Sequence, residues 1–425
     1  MTAGPSTREL LANRNVVVLL GAELLVSGAT TALTTTLGWQ GYQRTHSPLT
    51  LGLIGLAEFV PALLFAIPAG QIADRIDRRL VVAAGVAATA LTSFALALDA
   101  ASGDRQAWPL YVLALLLGCS QSFAQPSFNP LLAASVEPIS LPRVIAMSAV
   151  TWQTAGVLGP AIGGLAQRYS NPGPYIGCGV ATLVAAGLVL LYPRALGRAH
   201  VGPNREPATL REAFGGVRMI MAAPALLGAI SLDLMAVLFG GATALLPVFS
   251  SDVLHVGALG NGILRSAPGV GAVIVGLWLS VHPIRRRIGP TLFIVVALYG
   301  AFTILFGASR SFVLSLVALA ALAGADMFSV LIRASLQPLL TPPPMRGRVS
   351  AVERVFIGGS NELGAFESGT VAAAIGAVPA VIIGGALSIA VAIVWAWRFP
   401  SLRTMDRFED VRFVELPDRD DSLSR

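Results

Sequence analysis

The sequence predicts an all-α protein that crosses a membrane many times. Hydrophobic residues make up 55% of the 425-residue chain. Charged residues make up 12%, whereas soluble domains carry about 25%. Apolar runs of about 20 residues, the length that a helix needs to cross a bilayer, follow one another along the chain. Together these observations exclude an ordinary soluble domain.

Twelve such runs predict twelve transmembrane helices. They cover residues 16–38, 49–72, 80–100, 108–132, 143–168, 174–193, 224–250, 259–281, 290–308, 311–339, 349–373 and 376–398. The predicted domains are an N-terminal six-helix bundle (1–193), a cytoplasmic linker (194–222), a C-terminal six-helix bundle (223–398) and a flexible cytoplasmic tail (399–425). Within the linker, residues 209–221 are predicted to form a short interfacial helix.

Arginine predicts the orientation. The net charge is +6, and all 29 basic residues are arginine. Most of them lie in the loops that share a side with the N-terminus, which by the positive-inside rule places both termini in the cytoplasm. The expected location is therefore the cytoplasmic (inner) membrane, with multiple passes. Because the arginines are divided among short loops, they predict no nucleic-acid surface.

The two halves of the chain contain an internal repeat. Asn129-Pro130-Leu131-Leu132 recurs as Gln337-Pro338-Leu339-Leu340, displaced by 337 − 129 = 208 residues. Arg143-Val144 recurs as Arg348-Val349, displaced by 348 − 143 = 205 residues. Displacements this similar predict two pseudo-symmetric six-helix repeats, an arrangement that alternating-access transporters build around a central site.

The loop after the second run reads GQIADRIDRR from Gly70 to Arg79. It resembles the signature loop between helices two and three of the major facilitator superfamily, G-x-L-A-D-R-x-G-R-[RK], with Asp77 in place of the usual glycine. The resemblance implies the major facilitator fold and a cytoplasmic gate, in which the arginines hold the loop at the anionic inner leaflet. The alternative is a generic positive-inside loop. Residues assigned to the gate and signature loop are Gly70, Asp74, Arg75, Arg78, Arg79, Arg346, Arg348, Glu353 and Arg354.

The fifth run contains GVLGPAIGG. It resembles the antiporter motif of exporters in this superfamily, G-x-x-x-G-P-x-x-G-G, and matches at Gly156, Gly159, Pro160, Gly163 and Gly164. The resemblance implies export in exchange for protons. The alternative is ordinary packing of small residues, since such glycines allow close approach of helices and Pro160 kinks the span.

A third segment, TPPPMRGRVS at residues 341–350, resembles the loop between helices ten and eleven in exporters of the same superfamily. With the other two motifs, it identifies the chain as a member of the drug:proton antiporter branch, which includes the macrolide exporters and the enterobactin exporter. The expected partners are a small-molecule substrate, protons and the lipid bilayer, and a monomer is expected. The alternatives are a facilitator, a proton-coupled importer or a non-transporting membrane sensor.

Ionisable side chains within the spans are the candidates for proton coupling. Each costs about 2.5–3.5 kcal/mol to place in a bilayer, so it is expected to have a function. A carboxylate facing a low-dielectric cavity can take up and release protons near neutral pH. The alternative is a structural carboxylate that pairs with a neighbouring helix, the interpretation we favour for Glu58. The coupling candidates are Glu23, Asp233, Asp326 and Glu362.

Polar side chains within the spans are candidates for lining the substrate cavity. Gln121, Gln125 and Asn129 recur every four residues and so share one helix face. Trp152 and Gln153 offer an aromatic and a hydrogen-bonding contact. Arg265 is either a cavity residue or an interfacial anchor. The remaining cavity candidates are Arg333 and Asn361.

Nothing in the sequence predicts catalysis. The phosphate-binding pattern G-x-x-x-x-G-K-[ST] is absent, so ATP-driven transport by this chain is not expected. The histidines lack metal-ligand spacing, and Cys119 and Cys178 lie inside apolar runs. We therefore expect neither an enzyme nor a bound metal or cofactor.

Overall fold

The computed structural model describes residues 7–103, 106–193 and 210–410. Within these ranges, the side chains of Gly70, Asp74, Gln125 and Asn129 lie outside the described part, although their backbones are helical. Twelve helices of 16 or more residues are found in the described ranges. They are α1 (Arg14–Thr45), α2 (Pro48–Arg75), α3 (Arg78–Ser102), α4 (Trp108–Ala134), α5 (Leu141–Tyr169), α6 (Gly173–Leu190), α7 (Pro224–Phe239), α8 (Gly257–Val281), α9 (Ile288–Ala308), α10 (Phe312–Leu340), α11 (Arg346–Ile375) and α12 (Ala377–Arg398).

The helices begin and end where local chemistry favours it. The Asn13 side chain accepts a hydrogen bond from the backbone of Asn15 and caps α1. At the other end of α1, His46 is left-handed (φ 48°) and Pro48 opens α2, so the chain turns sharply between the two helices. Proline suits a first turn because its missing N–H has no helical partner there.

Nine segments of the described chain are long and apolar enough to cross a membrane. They lie in α1, α2, α3, α6, α8, α9, α10, α12 and the stretch Pro224–Val253 that begins with α7. The three long helices outside this group, α4, α5 and α11, contain most of the polar cavity candidates. The protein is a multi-pass membrane protein, as predicted, whereas the number of twelve spans stays a prediction.

The same helix pairing occurs in both halves of the molecule. Helix α1 packs on α5 and α6, as α7 packs on α11 and α12. Likewise, α2 packs on α4 as α8 packs on α10, and α3 joins α4 to α6 as α9 joins α10 to α12. Between the halves, α2 packs on α11 and α5 on α8. These two contacts are related by the same exchange of halves, in keeping with the repeat in the sequence.

The seventh predicted span is interrupted. Helix α7 ends at Phe239, and the chain continues through Gly240 and short helical turns to Val253. The Tyr299 hydroxyl of α9 donates a hydrogen bond to the Gly240 carbonyl at 3.0 Å. A Cβ on Gly240 would lie 2.5 Å from the Tyr299 ring, so only glycine allows this approach. The interruption therefore accommodates a half-buried tyrosine from a distant helix.

The short helix Leu210–Ala222 agrees with the predicted linker helix at 209–221. Its Met219 and Ile220 side chains are buried in the core of the C-terminal half. A Cβ on Gly216 would lie 2.8 Å from the Arg348 carbonyl oxygen, so the helix packs closely on the first turn of α11. It is anchored to protein, whereas linker residues 194–209 lie outside the described part.

The segment predicted as a flexible tail is folded over its first residues. Met405 and Asp406 accept hydrogen bonds through their carbonyl oxygens from the first N–H groups of α9, those of Gly289 (3.0 Å) and Ile288 (3.3 Å). The Asp406 carboxylate also accepts from the Arg287 N–H at 3.0 Å. The first N–H groups of a helix have no partner within the helix, so residues 405 and 406 cap α9. Residues 411–425 lie outside the described part.

This cap is expected to loosen in acid. The Arg287 N–H and the Arg286 guanidinium, 3.2 Å away, hold the pKa of Asp406 below its ordinary value. The contact is therefore fully present above the ordinary pKa of an aspartate and is lost as the pH falls through the lowered one. Asp406→Asn should speed hydrogen exchange at residues 287–289 at neutral pH, whereas the control Glu409→Gln should not. Equal exchange in the two variants would show that the carboxylate does not hold the tail.

Candidate functional site

A central cavity of about 330 Å³ lies within the N-terminal half. It is lined by α1, α3, α4 and α5, and its wall combines apolar side chains with a few polar ones. The predicted residues Glu23, Gln121 and Trp152 line it together. Lining residues that the prediction had not named include Ser27, Thr30, Thr89, Phe128 and Ser148.

Glu23 is the carboxylate of this cavity. Its Oε1 accepts a hydrogen bond from the Ser148 hydroxyl at 2.6 Å, which joins α1 to α5. Its Oε2 is buried and has no hydrogen-bond partner among the described residues. A buried carboxylate oxygen without a donor favours the neutral acid, which supplies its own hydrogen. The site can therefore hold a proton at Glu23.

A buried ion-pair cluster occupies the corresponding position in the C-terminal half. Arg333 of α10 lies 2.8 Å from Asp233 of α7 and 3.8 Å from Glu353 of α11. Asp326, a carboxylate on the same helix as Arg333, interacts electrostatically with Asp233 and Arg333. Arg333 thus holds three helices together and does not line the central cavity. Glu353, which had been assigned to the gate, contacts this cluster.

A third charged group lies between the halves. Glu58 of α2, Arg265 of α8 and Glu362 of α11 line one cavity of about 90 Å³. Arg265 also donates to the Thr243 carbonyl at 3.0 Å, which fixes its guanidinium inside the protein. Arg265 therefore lines the small cavity between the halves and not the central one, and its role stays a prediction. The cavity is too small for a drug-sized ligand.

The two halves meet at the end of the molecule where α1 ends and α2 begins, which we call the outer end after the predicted orientation. Tyr42 of α1 donates a hydrogen bond to Asp252, and Gln43 donates to Ser251 at 3.2 Å. An ideal Cβ on Gly52 of α2 would lie 2.9 Å from the backbone of α11. These contacts close the outer end, and the central cavity lies on the other side of them.

The glycines of the predicted antiporter motif face two different helices. Cβ atoms on Gly159 and Gly163 would lie 2.1 Å and 3.2 Å from atoms of α1. A Cβ on Gly164 would lie 2.6 Å from α8 of the other half, and a Cβ on Gly262 of α8 would lie 2.3 Å from the Pro160 carbonyl oxygen. Gly156 has open space around it. The motif therefore packs α5 against α1 and against the opposite half.

Hydrogen bonds continue this contact between α5 and α8 towards the middle of the molecule. Ser266 donates to the Val157 carbonyl at 2.6 Å, and the side chain of Gln153 donates to the Gly269 carbonyl at 3.1 Å. Gln153 thus joins the halves, and it does not line the central cavity. Asn361 and Arg354 of α11 are exposed and line none of the cavities described above.

The signature loop is tied to the protein by one of its arginines. Arg79 is buried, and its guanidinium donates to the carbonyls of Leu190 and Tyr192 at the end of α6, each at 3.0 Å. The expectation that Arg79 faces the lipid leaflet is therefore wrong, because those carbonyls have no partner within their own helix. Asp77, the departure from the motif, accepts from the Arg79 N–H and caps α3. Arg75 is exposed, as expected.

The other predicted gate residues lie around the start of α11. Arg346 donates to the Thr341 carbonyl at 3.3 Å and so ties α11 to the end of α10. Arg348 is exposed and contacts the Met345 sulfur at 3.8 Å. Asp74, which is assigned to the same gate, has a side chain outside the described part, so its place in the gate stays a prediction.

The sequence analysis favours a structural role for Glu58, as a carboxylate that pairs with a neighbouring helix, but it does not name the partner, because nothing local to α2 reveals Arg265. One signal was present: 265 − 58 = 207, so the two residues occupy equivalent positions of the internal repeat. In a pseudo-symmetric protein, equivalent positions of opposite charge on interface helices are candidates for a contact between the halves.

Two matching sets of membrane-length helices that close on each other at one end, with a polar-lined cavity on the other side of that contact, are typical of a membrane transporter. The sequence profile of the Major Facilitator Superfamily matches residues 19–358. The chain belongs to this superfamily.

Its curated relatives include proteins named as enterobactin exporters. The Enterobactin exporter EntS of Escherichia coli O1:K1 is 26% identical over 319 residues, which cover 72% of this chain and 73% of the exporter. The protein of the same name from Shigella flexneri is 26% identical over 321 residues, with the same coverage.

Solved structures share the fold at low identity. A bacterial homolog of the human lysosomal transporter Spinster, in an inward-facing and unoccupied conformation, has a TM-score of 0.72 at 14% identity and covers 94% of this chain and 100% of its own. A POT family transporter in complex with 5-aminolevulinic acid has a TM-score of 0.71 at 12% identity, covering 92% and 97%. The nucleoside transporter NupG has a TM-score of 0.66 at 15% identity, covering 91% and 99%.

Proposed function

We propose that this protein exports a small amphipathic molecule, such as a siderophore or a drug, in exchange for protons. The observation that carries the proposal is the state of Glu23: one oxygen is bound by Ser148 and the other is buried in the cavity wall without a donor. A substrate that enters the cavity competes with that proton for the same carboxylate. Curated relatives named as exporters support the direction of transport.

The cavity favours a substrate with an apolar body and a few polar groups. Phe128 and Trp152 offer aromatic surfaces, and Gln121, Thr30 and Thr89 offer hydrogen bonds. Trp152 is 57% exposed, so its ring is free to stack on a ligand. The volume of the cavity, about 330 Å³, lies at the lower end of the usual range of ligand sites, about 300–1,000 Å³.

Alternating access then couples the two gradients. Because the outer end is closed, the central cavity is reached from the opposite side. A substrate that binds there displaces the proton from Glu23. One proton crossing about 100 mV supplies about 2.3 kcal/mol, which sustains a substrate gradient of roughly fifty-fold. In the proposed orientation the cavity faces the cytoplasm, with both termini on that side and the protein in the inner membrane.

Glu23→Gln is expected to abolish substrate-driven proton movement, because glutamine binds no proton at this position. We would add siderophores, macrolides and hydrophobic cations to proteoliposomes and record proton flux for the parent, for Glu23→Gln and for the control Glu137→Gln. Glu137 is an exposed carboxylate in the loop after α4. Substrate transport by the parent without proton flux would overturn the coupling and indicate a facilitator. Uptake into right-side-out vesicles against a gradient would indicate an importer, and binding without transport a sensor.

A further inference from the structure

The charged group formed by Glu58, Arg265 and Glu362 joins the two halves of the transporter. Glu58 belongs to the N-terminal half, whereas the other two belong to the C-terminal half. Arg265 attracts both carboxylates, and the two carboxylates repel each other. The three side chains share a cavity of about 90 Å³. At about 30 Å³ for each water molecule, it has room for only a few waters.

The contacts of each member leave a charge unbalanced. Oε1 of Glu58 is buried, and no residue in the described part of the chain forms a hydrogen bond with it. Oε2 of Glu362 lies against α2, at 3.0 Å from the position that a Cβ on Gly55 would take. The remaining described walls are uncharged: Thr34 and Thr35 from α1, Ala244 and Pro247 from the segment after α7, and Asn261 from α8. Two carboxylates thus face one guanidinium, with one negative charge in excess.

Helix α4 adds no charge either. Gly118 of α4 packs directly on the Glu58 backbone, with its ideal Cβ at 2.1 Å from the Glu58 carbonyl oxygen. An uncompensated charge buried between two protein halves costs several kcal/mol, so the group is neutralised or the halves separate. A metal cation is disfavoured by the adjacent guanidinium. A single proton on either carboxylate balances the charge of the group, and on Glu58 or shared with it the proton supplies a donor at Oε1.

We propose that Glu58, Arg265 and Glu362 form a proton-binding site shared by the two halves, and that the outer end closes only when this site holds one proton. This proposal rests on the proposed function, proton exchange. It adds the place in the structure at which proton binding controls the conformation. With the outer end open, Glu58 and Glu362 are apart and hydrated, so each binds a proton weakly. A proton that arrives from the outer side and binds as the halves approach each other closes the outer end. By linkage, a proton that binds the closed state more tightly favours closure.

A polar route leads from this site to the central cavity. Thr34 and Thr35 of α1 line the small cavity, and Thr30 of the same helix lines the central one. The Thr34 hydroxyl donates to the Thr30 carbonyl at 2.6 Å. A separation of four positions spans about 6 Å along a helix. Hydroxyl groups and water along this face can carry the proton to the cavity where Glu23 lies.

The test measures the distance between the outer ends of the two halves as a function of pH. Spin labels would be attached at Ala101→Cys and Arg310→Cys, which are exposed near the outer ends of α3 and α10, in a background carrying Cys119→Ser and Cys178→Ala. Glu58→Gln and Glu362→Gln mimic the protonated site. The matched control is Glu367→Gln, a carboxylate of the same helix that accepts from Ser368 and does not line the cavity.

In the parent and in Glu367→Gln, the outer ends should be close together in acid and separate as the pH rises. In Glu58→Gln and Glu362→Gln they should stay close in alkaline buffer, with the open population reduced about tenfold or more. An unchanged pH response in both variants, or no response in the parent, overturns the proposal. Since no substrate is needed, this result is independent of the proton-flux assay, whose failure would instead count against the proposed exchange.

Discussion

Arg333→Gln is expected to destabilise the protein by about 3–5 kcal/mol, the usual cost of leaving a buried charge without its partner. Arg333 and Asp233 are 2.8 Å apart, and their side chains are only 7% and 8% exposed. Glutamine keeps much of the volume but removes the charge that faces Asp233, Glu353 and Asp326. Three acidic side chains from α7, α10 and α11 would then share one buried region without a cation.

The measurement is unfolding of the purified protein in mixed micelles, with Arg354→Gln as the control. Arg354 is the exposed arginine of α11, next to Glu353, so its substitution should change the free energy of unfolding very little. Adding Asp233→Asn to Arg333→Gln should recover part of the loss, because it removes the carboxylate nearest the missing guanidinium. If Arg333→Gln alone were as stable as Arg354→Gln, the cluster would not hold these helices together.

Most helix positions were predictable because each depends on a local run of apolar residues. The predicted start and end of α8, at 259 and 281, lie within two residues of the structure. The break after Phe239 was not predictable, because it depends on Tyr299, which approaches from α9. The folded start of the tail depends in the same way on the free N–H groups of α9, more than a hundred residues earlier.

For the candidate site, the sequence predicted which polar side chains lie within a membrane span. It did not predict which of them come together. Glu23 and Gln121 were named because polar side chains within spans are costly, and they line one cavity. Which partner each charge meets depends on helix packing, as Arg79 shows: nothing in a run of arginines tells which one is buried at the end of α6. The partners of Glu58 were not predictable for the same reason, since they come from the other half.

Gly262→Ala is expected to reduce transport about five- to 150-fold, by 1–3 kcal/mol of overpacking at the contact between α5 and α8. Its Cβ would lie 2.3 Å from the Pro160 carbonyl oxygen and 3.0 Å from the Cα of Gly164. Both are backbone atoms, so the helices must move apart for the methyl group to fit. The contact belongs to the closed outer end, so the substitution shifts the protein towards the outward-open state and slows its return.

The matched control is Gly156→Ala, in the antiporter motif of α5 that Gly262 contacts from α8. A Cβ on Gly156 meets nothing within 4 Å, and both substitutions give a helix interior the same gain of about 1 kcal/mol in propensity. Transport rates in proteoliposomes and the spin-label distance between the outer ends would be measured for both variants. Slow transport with a widened outer end in Gly262→Ala alone would show that the motif acts by closing the two halves over the cavity. Equal effects in both variants would mean that the motif's glycines serve the local conformation of their own helices, and the contact between α5 and α8 would not account for its role.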